Sequence, residues 1–163
     1  MEACVGAHSD HARGWRYLLY RGQISVQIKA TPQRVFDYVS DLSRHPEWAA
    51  QKVEMTVHGD PRRPGTTFDA FTYYGVKEVC KGKVLAVEAP RVYSFEADTS
   101  TSGRNIWTFE ITPDGNGTRV NYGFERQEAS FLFKLVQPLM YPIIGRRMLV
   151  QGLNNIKSRI EAE

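Results

Sequence analysis

Apolar and polar residues alternate strictly from residue 24. Ile24, Val26 and Ile28 fall on one side and Ser25, Gln27 and Lys29 on the other, the period-two pattern of a half-buried strand. The period then changes. Thr31 can cap a helix, Pro32 suits its first position, and Val35, Phe36, Val39 and Leu42 form one apolar stripe. Residues 43–48 read as a second short helix or turn. Period two returns with Val53, Met55 and Val57, set against Glu54, Thr56 and His58. Residues 60–65 are a loop. Residues 66–74 are rich in aromatic and β-branched side chains, and Gly75 marks a turn. Residues 77–88 form a long strand that Gly82 bends or bulges. Ala89-Pro90 breaks it. Tyr93, Phe95 and Ala97 mark the next strand, residues 99–103 a loop, and Trp107, Phe109 and Ile111 a further strand. Pro113-Asp114-Gly115-Asn116-Gly117 is a hairpin signal, answered by Val120, Tyr122 and Phe124. At the end, Leu149, Leu153, Ile156 and Ile160 recur at helical spacing. Pro138 and Pro142 break or kink the segment before them, so residues 130–145 read as a broken helix or gate.

The order is strand, two short helices, six further strands and one long helix. Short meander connections make the sheet antiparallel. One apolar sheet face of that size needs a cover, and the terminal helix is the large candidate. A curved sheet wrapped around one helix encloses a cavity. This is an α+β architecture, with residues 1–21 as a loose arm and 22–163 as one ligand-binding domain.

Four stretches resemble a known family. They are ISVQIKATPQRVFDYVSDLSRHPEW (residues 24–48); Pro64-Gly65-Thr66-Thr67-Phe68; Gly82-Lys83-Val84 with Ala89-Pro90-Arg91; and Trp107 to Ile111 with Gly117 to Val120. Together they resemble the polyketide cyclase/dehydrase-like branch of the START-like (SRPBCC, helix-grip) superfamily. The resemblance implies a curved sheet of about seven strands gripping the C-terminal helix. It implies no fixed catalytic motif, because that fold hosts carriers, receptors and cyclases alike.

Composition narrows the chemistry. Of 163 residues, 42% are hydrophobic, 12% aromatic and 24% charged, the profile of a globular protein. A net charge of +3 is too weak for a dedicated nucleic-acid binder. Two cysteines, Cys4 and Cys80, exclude a disulfide scaffold. The first residues lack the apolar stretch of a signal peptide, so the chain reads as cytoplasmic. Cys4, His8, Asp10 and His11 have metal-ligand chemistry but loose spacing, and neither a metal site nor a cofactor is expected.

Candidate ligand-binding residues are the aromatics Trp48, Phe71, Tyr73, Phe95, Trp107, Phe109 and Tyr122, with Leu139 and Ile143 from the broken helix. Trp48 is either a flat cavity wall or core packing. Asp69, Glu78, Tyr73 and Arg126 are the catalytic candidates. A carboxyl in an apolar cavity resists ionisation and serves as acid or base near neutral pH. Asp69 qualifies only if its strand turns Phe71 and Tyr73 inward; in the other phase Phe68, Ala70 and Tyr74 point in. His45 could titrate beside Trp48, although a surface position at a helix end is its default. Arg146, Arg147, Lys157 and Arg159 give the terminal helix a basic face.

Three functions compete. The first is binding of a small hydrophobic molecule (lipid-, polyketide- or aromatic-like) with no bond made or broken. The second is an aromatase/cyclase or dehydratase using a cavity acid or base. The third is a membrane-associated lipid or quinone carrier, although membrane contact is not the expectation. The pattern favours binding over catalysis and leaves the oligomeric state open. Because residues 1–13 lack period, caps and an apolar face, deleting them should leave the melting temperature almost unchanged in a thermal unfolding scan.

Overall fold

The computed structural model describes residues 21–73, 77–99, 103–127, 139 and 144–163. Strand β1 (Arg21–Ile28) leads to helix α1 (Pro32–Val39), a 3₁₀ turn (Leu42–Arg44) and helix α2 (His45–Trp48). Strands β2 (Val53–His58), β3 (Thr67–Tyr73), β4 (Lys77–Glu88), β5 (Val92–Thr99), β6 (Gly103–Asp114) and β7 (Gly117–Arg126) follow, and then helix α3 (Arg146–Ala162). The cap expected at Thr31 is present, with its side chain accepting from the Arg34 amide.

All seven strands form one antiparallel sheet in the order β1-β7-β6-β5-β4-β3-β2. The helical segment after β1 therefore carries the chain from one sheet edge to the other. This is the helix-grip fold: the sheet curves round α3, whose stripe Leu149, Leu153, Ile156 and Ile160 is buried.

The register decides which side chains share the concave face. On β5, β6 and β7 the inner rows are Tyr93–Phe109–Tyr122 and Phe95–Trp107–Phe124. On the other half of the sheet, Phe68 pairs with Gly82, and Gly82 with Ala97. The inner set of β3 is therefore Phe68, Ala70 and Thr72. Phe71 and Tyr73 lie on the outer face with Asp69, which corrects the strand phase that would have put them in the cavity. Both phases of this strand carry aromatics, so alternation alone does not choose between them. The neighbour chooses: a Cβ at position 82 would overlap the Phe68 ring and the Glu96 carbonyl oxygen, so glycine opens the space that Phe68 fills. Gly82 stays in register, and the irregularity of β4 lies further on, between Val84 and Ala86. Outside, the aromatics are covered by cations: Lys77 Nζ is 3.8 Å from the Phe71 ring centre and Lys52 Nζ 4.9 Å from that of Tyr73.

The concave side divides in two. Toward the β6–β7 turn it is filled by Ile28, Phe36, Leu42, Tyr93, Phe109, Ile111, Leu153 and Ile156, all buried. The other half, toward the β3–β4 and β5–β6 connections, is open. Gly82→Ala should destabilise the fold by about 1–3 kcal/mol, the range for overpacking. Gly123→Ala is the control, because its added Cβ would meet only the Thr108 carbonyl at 3.7 Å. Urea unfolding of the two variants checks the contrast.

Candidate functional site

The open half is a cavity of about 710 Å³ between the sheet, α2 and the start of α3. Its aromatic wall comes from the sheet: Phe68, Phe95, Trp107, Tyr122 and Phe124. Phe95 and Trp107 are stacked, with ring centres 5.5 Å apart and planes at 17°. The smaller Val53, Met55, Ala70 and Ala97 leave the volume that these rings surround. Ile144, Met148, Leu149 and Gly152 close it from the helix side.

One end of the cavity is polar. Thr72, Glu78, Cys80, Thr99, Asn105 and Arg126 all line it, each at or near the strand end facing the β3–β4 and β5–β6 connections. Arg126 Nε donates to Asn105 Oδ1 at 2.9 Å, and Asn105 Nδ2 donates to the Gly103 carbonyl at 2.9 Å. Glu78 is 9% exposed. Burial pushes the Cys80 thiol above its usual pKa, with the Thr72 hydroxyl 3.8 Å away acting the other way.

At the opposite, inner end stand Trp48 and His45. Trp48 is 2% exposed and meets Phe109 (5.8 Å, 87°) and Tyr122 (6.2 Å, 90°) edge to face. Trp48 thus packs on the filled half and lines the open one. Helix α3 passes close behind it. Asn155 Nδ2 donates to the Trp48 carbonyl at 3.2 Å, and Gly152 leaves only van der Waals room for a Cβ against that same carbonyl. His45 is not the surface residue of the default reading. Its ring centre lies 4.1 Å from that of Trp48 and 6.1 Å from that of Phe95, and it lines the cavity. Loss of solvent lowers its pKa to about 4. Neither His45 Nδ1 nor Trp48 Nε1 has a hydrogen-bond partner among the described residues.

The expected site residues therefore sort as follows. Trp48, Phe95, Trp107, Tyr122, Glu78 and Arg126 line the cavity. Phe109 faces inward but is sealed in the filled half, stacked on Tyr122 at 4.4 Å. Phe71, Tyr73 and Asp69 are on the outer face, where Asp69 Oδ2 pairs with His58 Nε2 at 2.8 Å and Tyr73 Oη donates to Glu54 Oε1 at 3.4 Å. Leu139 is 71% exposed. Ile143 lies outside the described residues, as do most of the expected gate and Cys4, His8, Asp10 and His11. Sequence reasoning gave Phe68 as the inward residue of the alternative phase and missed Thr72, Asn105 and Phe124 as cavity residues. The alternation on β6 and β7 already placed Asn105 in phase with Trp107 and Phe124 in phase with Tyr122.

A family model for polyketide cyclase / dehydrase and lipid transport proteins matches residues 21–161. The chain belongs to this family. Solved structures agree on the fold of this polyketide cyclase/dehydrase-family chain. Protein CV1439 from Chromobacterium violaceum superposes with a TM-score of 0.69 at 16% identity, over 88% of this chain and 99% of that one. Ara h 8.0201 gives 0.60 at 12% identity, over 89% and 99%. DynU16, a protein of the dynemicin biosynthetic locus, gives 0.58 at 14% identity, over 86% of this chain and 47% of its own. At such identities the likeness is one of fold. No protein of curated function matches the family member's sequence significantly.

Phe109→Ala should cost about 3–5 kcal/mol, as for other buried aromatic truncations. Trp107→Ala should cost less, because it enlarges an existing cavity, and it should reduce uptake of a hydrophobic fluorophore instead. Chemical unfolding and titration of both variants separate the roles. His45 adds a pH signature. The unfolded chain takes up this proton near pH 6.5 and the folded chain near 4, so between those values the unfolded state holds more protons. Stability should therefore fall as pH drops from about 6.5 to about 4, by at most about 3 kcal/mol for this residue, and its contribution should level off below that. His45→Phe should flatten this part of the stability–pH curve.

Proposed function

We propose that this chain binds one flat, largely apolar small molecule in the cavity between sheet and terminal helix, and makes or breaks no bond in it. The observation that carries this reading is the cavity itself: about 710 Å³, within the range of small-molecule sites, with stacked rings along its length and polar groups gathered at one end. The ligand lies with its apolar body against Phe95, Trp107 and Phe124 and its more polar end toward Asn105 and Arg126. The family's description, which includes lipid transport, supports a carrier role. Among the described residues no helix is long and apolar enough to cross a membrane.

A second reading, cyclisation or dehydration of a polyketide-like chain, is favoured by one observation. Glu78 is a buried carboxyl on the cavity wall, with Cys80 one inward position along the same strand. There it would move a proton at a substrate held by the aromatic wall. Asp69 and Tyr73 leave this reading, since they face outward.

Native mass spectrometry of the purified chain and titration with a fluorescent hydrophobe test the binding proposal. A co-purifying small molecule or saturable one-to-one uptake is expected, with Trp107→Ala weakening uptake. No bound species and no saturable uptake would overturn it. Glu78→Gln should leave hydrophobe binding within about twofold, since that contact is peripheral to the apolar body. If Glu78 is instead an acid–base catalyst, turnover of a poly-β-keto substrate should fall on the order of a hundredfold or more.

A further inference from the structure

His45 is the cavity residue whose chemistry the binding reading leaves unused. It stands at the inner end, away from Glu78, Asn105 and Arg126. Along β5 alone, Phe95, which it meets, is four residues from Thr99 at the polar end, a separation of roughly 13 Å. Its recorded neighbours are rings, Trp48 and Phe95, and its Nδ1 has no partner among the described residues. Leaving a buried polar atom unsatisfied destabilises the fold, so a phenylalanine or leucine would pack this position at less cost. An imidazole placed here keeps hydrogen-bonding capacity that the protein does not use.

We propose that His45 is a ligand-recognition residue, whose uncharged imidazole hydrogen-bonds a hydroxyl group, phenolic or enolic, on a flat apolar ligand at the inner end of the cavity. The proposal rests on the binding reading above and adds a specificity to it. A neutral imidazole offers one donor and one acceptor, which is the pairing a hydroxyl can meet from either side. A half-turn about Cβ–Cγ exchanges Nδ1 with Cδ2, so the ring can present a nitrogen to the lumen without moving α2. The Trp48 ring beside it carries a second buried polar atom, Nε1, that has no partner among the described residues. A carboxylate is disfavoured at this end, because among the described lining residues the guanidinium, that of Arg126, stands at the other end and does not offset its desolvation. With its pKa lowered to about 4, His45 is a weak base at neutral pH, so it binds the hydroxyl and does not take its proton.

Equilibrium dialysis of the full chain against a naphthol and the matching methylnaphthalene tests this. The two probes share a ring system and differ in hydroxyl against methyl. In His45→Phe the ratio of naphthol to methylnaphthalene affinity should fall about five- to tenfold, the value of one hydrogen bond, through loss of naphthol binding alone. His45→Gln, which keeps a donor and an acceptor, should retain part of the preference. If both probes bind and the ratio is unchanged in His45→Phe, the recognition role is overturned and the cavity stands. If neither probe binds the wild-type chain, the cavity reading falls and the proposal with it. Nitrogen NMR gives a second readout: naphthol should shift the His45 resonance, assigned by its absence in His45→Phe, and methylnaphthalene should not. An unshifted resonance at naphthol saturation would also overturn the proposal.

Discussion

The indole of Trp48 meets three rings at once, Phe109 and Tyr122 edge to face and the imidazole of His45, and α3 passes it at Gly152, where an added Cβ would come within 3.8 Å of the indole. Those contacts place it between packed interior and empty volume. On one side, Phe36, Tyr93, Phe109, Leu153 and Ile156 fill the curve of the sheet completely. On the other, the same curve encloses space. A sheet of this size bends too far for one helix to fill, and a side chain as wide as tryptophan, fixed by a short helix, limits how far the interior closes. If Trp48 were small, the filled half would lose a wall and the empty half a floor. Asn155 ties α3 to the same position through the backbone carbonyl, a bond independent of the indole.

The open half is maintained by side-chain size. Ala70 and Ala97 occupy inner positions on β3 and β5 where larger residues would fill the lumen, and Gly82 between them makes room for the Phe68 ring. The rings on either side are held by stacking and edge contacts among themselves: Phe68 on Phe95, Phe95 on Trp107, Trp107 on Phe124. Apolar surface left uncovered in this way costs stability, and a flat apolar guest would recover part of that loss on entering.

The order and type of the elements were legible in the sequence because burial imposes two distinct periods, two on strands and near 3.6 on helices. The end of α3 could be read from Leu149 to Ile160 because one face of that helix is buried throughout. The phase of β3 was not legible. Phe68, Ala70 and Thr72 pack against neighbouring strands, while Phe71 and Tyr73 pack under lysines, so neither alternate set is polar. Pairing with Gly82 decides it, and that is a contact between strands. His45 was misjudged for a similar reason. A polar residue at a helix start is normally wet, and what dries this one is the approach of Trp48 and Phe95 from other parts of the chain. The cavity set on β6 and β7 was half legible: Trp107 and Tyr122 stood out as aromatics, while Asn105 shared their phase without drawing notice.

Among the described residues, the side-chain hydrogen bonds that fix α3 lie at Asn155 and beyond. Lys157 Nζ reaches the Gln27 carbonyl at 2.7 Å, Glu161 Oε1 accepts from the Lys29 amide at 2.8 Å, and Glu163 meets Arg44 at 2.6 Å. The opposite end of the helix, at Met148 and Leu149, touches the cavity through apolar contacts that tolerate sliding. These bonds tie the far end of the helix to β1 and to the turn before α2, so a guest pressing on Met148 and Leu149 would push against the part of the helix farthest from those ties.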